Sequence, residues 1–193
     1  MQQSRSRGLI MPIYALGDKV PNIHPEAFVH PDAVIIGDVT IGAMSSVWPC
    51  AVLRGDSNSI TVGAGTSIQD GTVVHTTSYL STNIGDECTI GHNAHLEGCT
   101  VQSGALVGSG ALVHHEAVIE TGALVAAGAV VTHGTVVPAG ALAVGVPAKI
   151  KEVKQIQAFL LIQLIFIPEW LPHIPWNCAE LISLGAVSKT SWA

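Results

Sequence analysis

VQSGALVGSGALVHHEAVIETGALVAAGAVVTHGTVV, Val101 to Val137, carries an aliphatic residue at every sixth position: Val101, Val107, Val113, Ile119, Val125, Val131 and Val137. Four residues after each comes a small one: Ala105, Ala111, Ala117, Ala123, Ala129, Thr135 and Ala141. A period of six fits neither a helix, with its period of about 3.6, nor a lone alternating strand, with its period of about 2. It fits a short strand, a turn and another short strand, with aliphatic and small side chains both facing inward. This is a hexapeptide-repeat β-solenoid, in which three hexads, about 18 residues, make one triangular coil. The stretch therefore predicts an all-β fold.

The same phase runs back towards the N-terminus through Leu96, Ile90 and Ile84, then Val74, Ile68 and Val62, then Leu53, Val47, Ile41, Ile35, Val29 and Ile23. It slips three times. Leu53 to Val62 is nine residues, Val74 to Ile84 is ten, and Leu96 to Val101 is five. The two long slips read as loops inserted at corners, RGDSNSIT and HTTSYLSTN, and such loops often carry function. After Pro147 the repeat stops. Val153, Ile156, Leu160, Leu164 and Ile167 are spaced as on a helix that ends at Pro168, packing back along the solenoid. The apolar run AFLLIQLIFI within it is too short to span a bilayer. The expected organisation is a β-helix over 11–147, a C-terminal α-helix over 148–167, a tail without repeat over 168–193, and a disordered extension over 1–10.

Composition narrows the function. Of 193 residues only 11% are charged, against about 25% in an ordinary globular domain. The net charge of −6, with no basic run, argues against a nucleic-acid partner. Four cysteines, Cys50, Cys88, Cys99 and Cys178, form no CxxC pair and read as free thiols of a reducing compartment. MQQSRSRGLI has no apolar core of signal-peptide length, so a cytoplasmic protein is expected.

Side-chain direction follows from the phase. The first position of each hexad points in, so the second and sixth point out. His75, Glu97 and His114 follow Val74, Leu96 and Val113, and Arg54 follows Leu53. Each lies one coil from the next on one face, so a column Arg54, His75, Glu97, His114 is expected, with neighbours about 4.8 Å apart. His95 also points out but shares no coil position with His75. On a neighbouring face, His92 near a corner lies one coil after Asp70, with Gln69 beside it. If the first column of one subunit met the second column of another, His75 and Glu97 would meet His92, and Arg54 would meet Asp70. A metal site and a charge pair would form together. Contacts of this heterologous kind close as a threefold ring. Two imidazoles and one carboxylate suit zinc, and the same set suits iron(II).

RGDSNSI (Arg54–Ile60), SIQDGTVVH (Ser67–His75), IGHNAHLEGC (Ile90–Cys99) and GVPAK (Gly145–Lys149) resemble the gamma-class carbonic anhydrase family, over roughly Met11 to Val153. The resemblance implies a left-handed parallel β-helix, against the usual handedness of crossovers. It implies a homotrimer with zinc between subunits, iron(II) or cobalt being alternatives. Two histidine ligands would come from one subunit and one from its neighbour. His75 and His92 match two of them. Arg54, Asp56, Gln69 and Asp70 match the family's RGD and QD positions, where the arginine and the second aspartate pair across the interface. Glu97 stands where the third histidine is expected, with His95 as the alternative ligand. Ser67 replaces a common asparagine, and the loop TTSYLSTN has no carboxylate, where the archetypal enzyme has an acidic proton-shuttling loop. MPIYALGDKV, from Met11, opens as the family does.

The activity implied is reversible hydration of carbon dioxide to bicarbonate. Gln69 would hold the hydroxide or substrate oxygen, and His114 would act over Glu97 as a proton relay. His115 reads as a plain surface residue. An anionic Glu97 in place of a neutral imidazole would leave the activity weak or absent. Two other classes stay open: an acyltransferase or thioesterase acting on an acyl-CoA, as many hexapeptide-repeat proteins are, and a structural trimer without activity.

Overall fold

The computed structural model describes residues 12–152. Twenty short strands fill them. Successive coils stack in register, and the registers repeat the sequence phase: Leu106 pairs with Leu124 and Leu124 with Leu142, while Val118 pairs with Val136. All coil-to-coil pairing is parallel. The structure is thus an all-β parallel solenoid.

The first and fifth positions of the hexads make the core. Ile35, Leu53, Val74, Leu96, Val113 and Val131 line one wall at 0% exposure. Ile41, Val62, Ile84, Val101, Ile119 and Val137 line the second, and Val47, Ile68, Ile90, Val107 and Val125 the third. Ala51, Ala94, Ala111, Ala117 and Ala129 fill the corners between them. Each aliphatic side chain so buried contributes about 1.5–3 kcal/mol. The turns use the left-handed backbone region at the fourth position of a hexad. Glycine holds many of these places, but Asn93 (φ 56°) and Glu116 (φ 59°) hold two that matter below.

Two expectations need correction. The segment RGDSNSIT is an insertion, as expected, but it is carried as a bulge and not as a free loop. It lies within Val52–Val62, which pairs with Val34–Ile41 on both sides of a corner, Gly37 with Gly55 and then Val39 with Ile60, and joins two walls into one twelve-stranded sheet. The close approach needs glycine on both sides: a Cβ on Gly37 would fall 2.3 Å from Gly55 O, and one on Gly55 would fall 2.3 Å from Asp38 O. The slip after Val74 does form a loop, closed by Thr77 N–H donating to Leu80 O at 3.1 Å. The helix expected over 148–167 is also not borne out where it can be seen. Lys149–Lys151 is a strand, antiparallel to Leu142–Val144, that covers the end of the third wall. Most of that segment, the tail over 168–193 and the extension over 1–10 lie outside the described residues.

Candidate functional site

The outward column on the first wall forms in the expected order. Arg54 and Glu97 are both in register with His75, one coil to either side. His95 is in register with Val73 and Leu112 instead. His75 is therefore the centre of the group, and both of its ring nitrogens face carboxylates. Nδ1 lies 2.6 Å from Glu97 Oε1, and Nε2 lies 3.0 Å from Asp56 Oδ1. Asp56 Oδ2 accepts from the Arg54 guanidinium. Arg54 and Asp56 thus belong to one network with the histidine. The network continues into the next coil, where His115 Nε2 is 2.9 Å from Glu97 Oε2.

Local backbone contacts hold these residues. Lys19 Nζ donates to the carbonyls of Asp56 at 2.6 Å and Ser57 at 3.0 Å, pinning the outer edge of the long strand. Ser57 N–H donates to Asp56 Oδ1 at 2.8 Å. Behind the column, fully buried Thr82 ties His75 to Glu97's neighbour: its hydroxyl donates to His75 O and accepts from Gly98 N–H at 2.8 Å.

Electrostatics follow from these contacts. Burial works to raise the Asp56 carboxyl, but the bonds from His75 and Arg54, and the charges behind them, outweigh it and hold it below the ordinary value. Burial likewise opposes ionisation of Glu97, and the bonds from His115 and His75 overcome it. Both are anionic at neutral pH. Burial lowers His95, with His114, His75 and His115 adding to the effect against the pull of Glu97.

His115 was not expected here; the sequence column pointed to His114. Strand pairing sets Leu96 beside Val113, and so Glu97 beside His114. Glu116 N–H donating to Gly98 O continues that register, as Gln102 N–H does to Ile119 O next to the pair Val101 and Ile119. Glu97 therefore meets His115 on the diagonal, one residue past its register neighbour, and the His115 ring lies edge-on to His114 at 6.5 Å. A column built from register alone does not give diagonal neighbours.

The second column also forms. His92, just before the left-handed turn residue Asn93, has Nδ1 3.0 Å from Asp70 Oδ2, and both are half-exposed. Asp70 therefore orients His92 within the same chain. Gln69 sits beside Asp70 at the end of the strand Ser67–Ile68, half-buried, its N–H on Ile90 O at 2.9 Å. No group of three or more His, Cys, Asp or Glu able to hold a metal occurs among the described residues.

A protein from Anaplasma phagocytophilum, titled a hexapeptide transferase family protein, matches with TM-score 0.75 and 41% identity over 79% of this chain and 92% of that one. The chain belongs to the hexapeptide-repeat family. Gamma carbonic anhydrases are among the curated relatives of this hexapeptide-repeat protein. Gamma carbonic anhydrase 3, mitochondrial, of Arabidopsis thaliana is 52% identical over 100 residues, 49% of this chain and 39% of the relative. The carnitine operon protein CaiE of Escherichia coli is 44% identical over 108 residues, 56% of this chain and 55% of CaiE. The chain thus spans roughly two fifths to just over half the length of these two curated relatives. No family model matches it. No helix among the described residues is long and apolar enough to cross a membrane.

The relatives imply a metal cofactor, and the donor set fits one. His75 and Glu97 offer a nitrogen and an oxygen side by side. Asp56 on the other nitrogen of His75, and Asp70 on one nitrogen of His92, are carboxylate–histidine pairs of the kind that orient metal-binding imidazoles. In His92 this leaves Nε2 for an ion; in His75 the nitrogen left by Asp56 is Nδ1, which faces Glu97 Oε1, so an ion there would take the place of the hydrogen between them.

Proposed function

We propose that the protein is a metal-dependent enzyme of the gamma carbonic anhydrase type, a homotrimer that hydrates carbon dioxide to bicarbonate at sites between subunits. His75 and Glu97 of one subunit, with His92 of the partner subunit, would hold the ion, zinc being the metal this set suits best. The observation that carries the reading is His75, with Glu97 on one ring nitrogen and Asp56 on the other. When bound, the ion supplies hydroxide at neutral pH by acidifying water.

The chain's own residues do the rest. Asp56 and Asp70 fix the tautomer and direction of the two imidazoles. Gln69, next to Asp70, donates a hydrogen bond that holds the attacking or substrate oxygen. Glu97 contributes a negative charge where a third imidazole would be neutral, so the acidifying power of the site is reduced and turnover at neutral pH is slow. The proton released in hydration leaves through the outer histidines, His115 and His114.

The test is metal analysis of the purified full chain with a stopped-flow assay of carbon dioxide hydration. About one metal per subunit is expected, lost in His75→Ala and His92→Ala together with activity. Metal-free protein of full stability would overturn the reading. The Anaplasma structure, with 92% of its length covered and a transferase title, favours acyl transfer as the second reading. Saturable acetyl-CoA binding by metal-free protein would establish that instead.

A further inference from the structure

Glu97 has two histidine neighbours, and only one of them belongs to the proposed ligand set. Oε1 faces His75 Nδ1 at 2.6 Å, whereas Oε2 faces His115 Nε2 at 2.9 Å. An ionised carboxylate only accepts, so Nε2 of His115 carries the hydrogen and donates it. That bond fixes the rotation of the carboxylate and occupies its outer oxygen. The surroundings keep His115 in place. A Cβ built on Gly98 would lie 3.0 Å from Leu80 Cδ1 and 3.4 Å from His115 Cδ2, so the loop after His75 and the His115 ring close together over the residue that follows Glu97.

We infer that His115 is a positioning residue that makes Glu97 a one-oxygen metal ligand, presenting Oε1 and withholding Oε2. This rests on the metal site proposed above. A carboxylate free at both oxygens can grip an ion with both, filling the position that a catalytic site of three protein donors leaves open. With Oε2 engaged by His115, that position stays available to water and substrate.

The experiment loads the full chain with Co²⁺ and reads affinity and visible absorption, whose bands weaken as coordination number rises from four to five. Wild type should give strong four-coordinate bands. His115→Ala should give weaker bands and bind Co²⁺ about tenfold to a hundredfold less tightly. His115→Gln, whose amide nitrogen can replace Nε2, should restore both. Should the Ala variant not fold, His115→Asn, whose amide is too short to reach Oε2, takes its place against His115→Gln. Wild-type affinity and spectrum in a folded Ala or Asn variant would overturn the role of His115 and leave the metal site standing. A wild type that takes up no Co²⁺ would overturn the metal reading and this inference with it.

Discussion

Replacing Thr82 by Val tests whether a buried hydroxyl joins the two central residues of the site. Thr82 is 0% exposed and close in volume to valine, so the change opens no cavity. What it removes is an acceptor for Gly98 N–H at 2.8 Å and a donor to His75 O. Gly98 is itself buried, and water cannot replace the lost partner. A stranded buried donor costs about 1–3 kcal/mol. The gain from hiding a methyl in place of a hydroxyl offsets part of this, about 0.8 kcal/mol. A net loss of about 0.2–2 kcal/mol is expected, against a typical stability of about 5–15 kcal/mol. Thr82→Ser keeps the oxygen and should lose less. Urea unfolding at one fixed protein concentration reads the difference, since any assembly makes the midpoint depend on concentration. Equal midpoints for the Val variant and wild type would refute the reasoning. So would a Ser variant weaker than the Val variant.

Three further outcomes are expected. Asp56 and Glu97 titrate below their ordinary 3.8 and 4.5; the unfolded chain binds more protons in that range, so their contribution is complete above about pH 5 and lost as pH falls through the depressed values. Melting temperature should fall with acid over that window, and a slope unaltered in Glu97→Gln would contradict it. Burial pushes the Cys99 thiol up to about 12 and raises Cys88 as well, whereas Cys50 is exposed. Peptide mapping after alkylation at pH 8 should find Cys50 modified and Cys88 and Cys99 intact until unfolding; modification of Cys99 in folded protein would contradict the packing. Glu97→His should keep the metal and speed hydration at neutral pH, and His95→Ala should leave the metal bound; if His95→Ala strips it while Glu97→Ala does not, the two roles must be exchanged.

The repeat was legible because every inward aliphatic residue obeys one constraint, the width of the core, and one phase therefore fixes the wall register from Ile35 to Val137. The His75–Glu97 neighbourhood followed at once, since both residues come directly after in-phase positions. The count from Leu53 to Val62 gave the insertion in RGDSNSIT but not its form. It does not reveal that the preceding coil is extended there, and that pairing holds on both sides of the insertion, Gly37 with Gly55 and Val39 with Ile60. A strand exists when its partner does. The alternation of VIIGDVTI, with Ile35, Gly37, Val39 and Ile41 all turned inward, was the sign that the earlier coil runs straight through the corner.

Both parts of the site that the sequence order did not give are neighbours off the register. Asp56 follows the paired Gly55 into the insertion at the corner, where Gly37 pairs with Gly55 and Val39 with Ile60, and its carboxylate returns to the column at His75. His115 stands one residue past His114, the register neighbour of Glu97, and reaches the outer oxygen of Glu97 on the diagonal. Register alone gives each outward residue only the residues one coil above and below. A long side chain such as Glu97 also reaches diagonal positions, and an insertion adds groups that no period places. Arg54, Asp56, His75, Glu97 and His115 are joined in this way into one connected network.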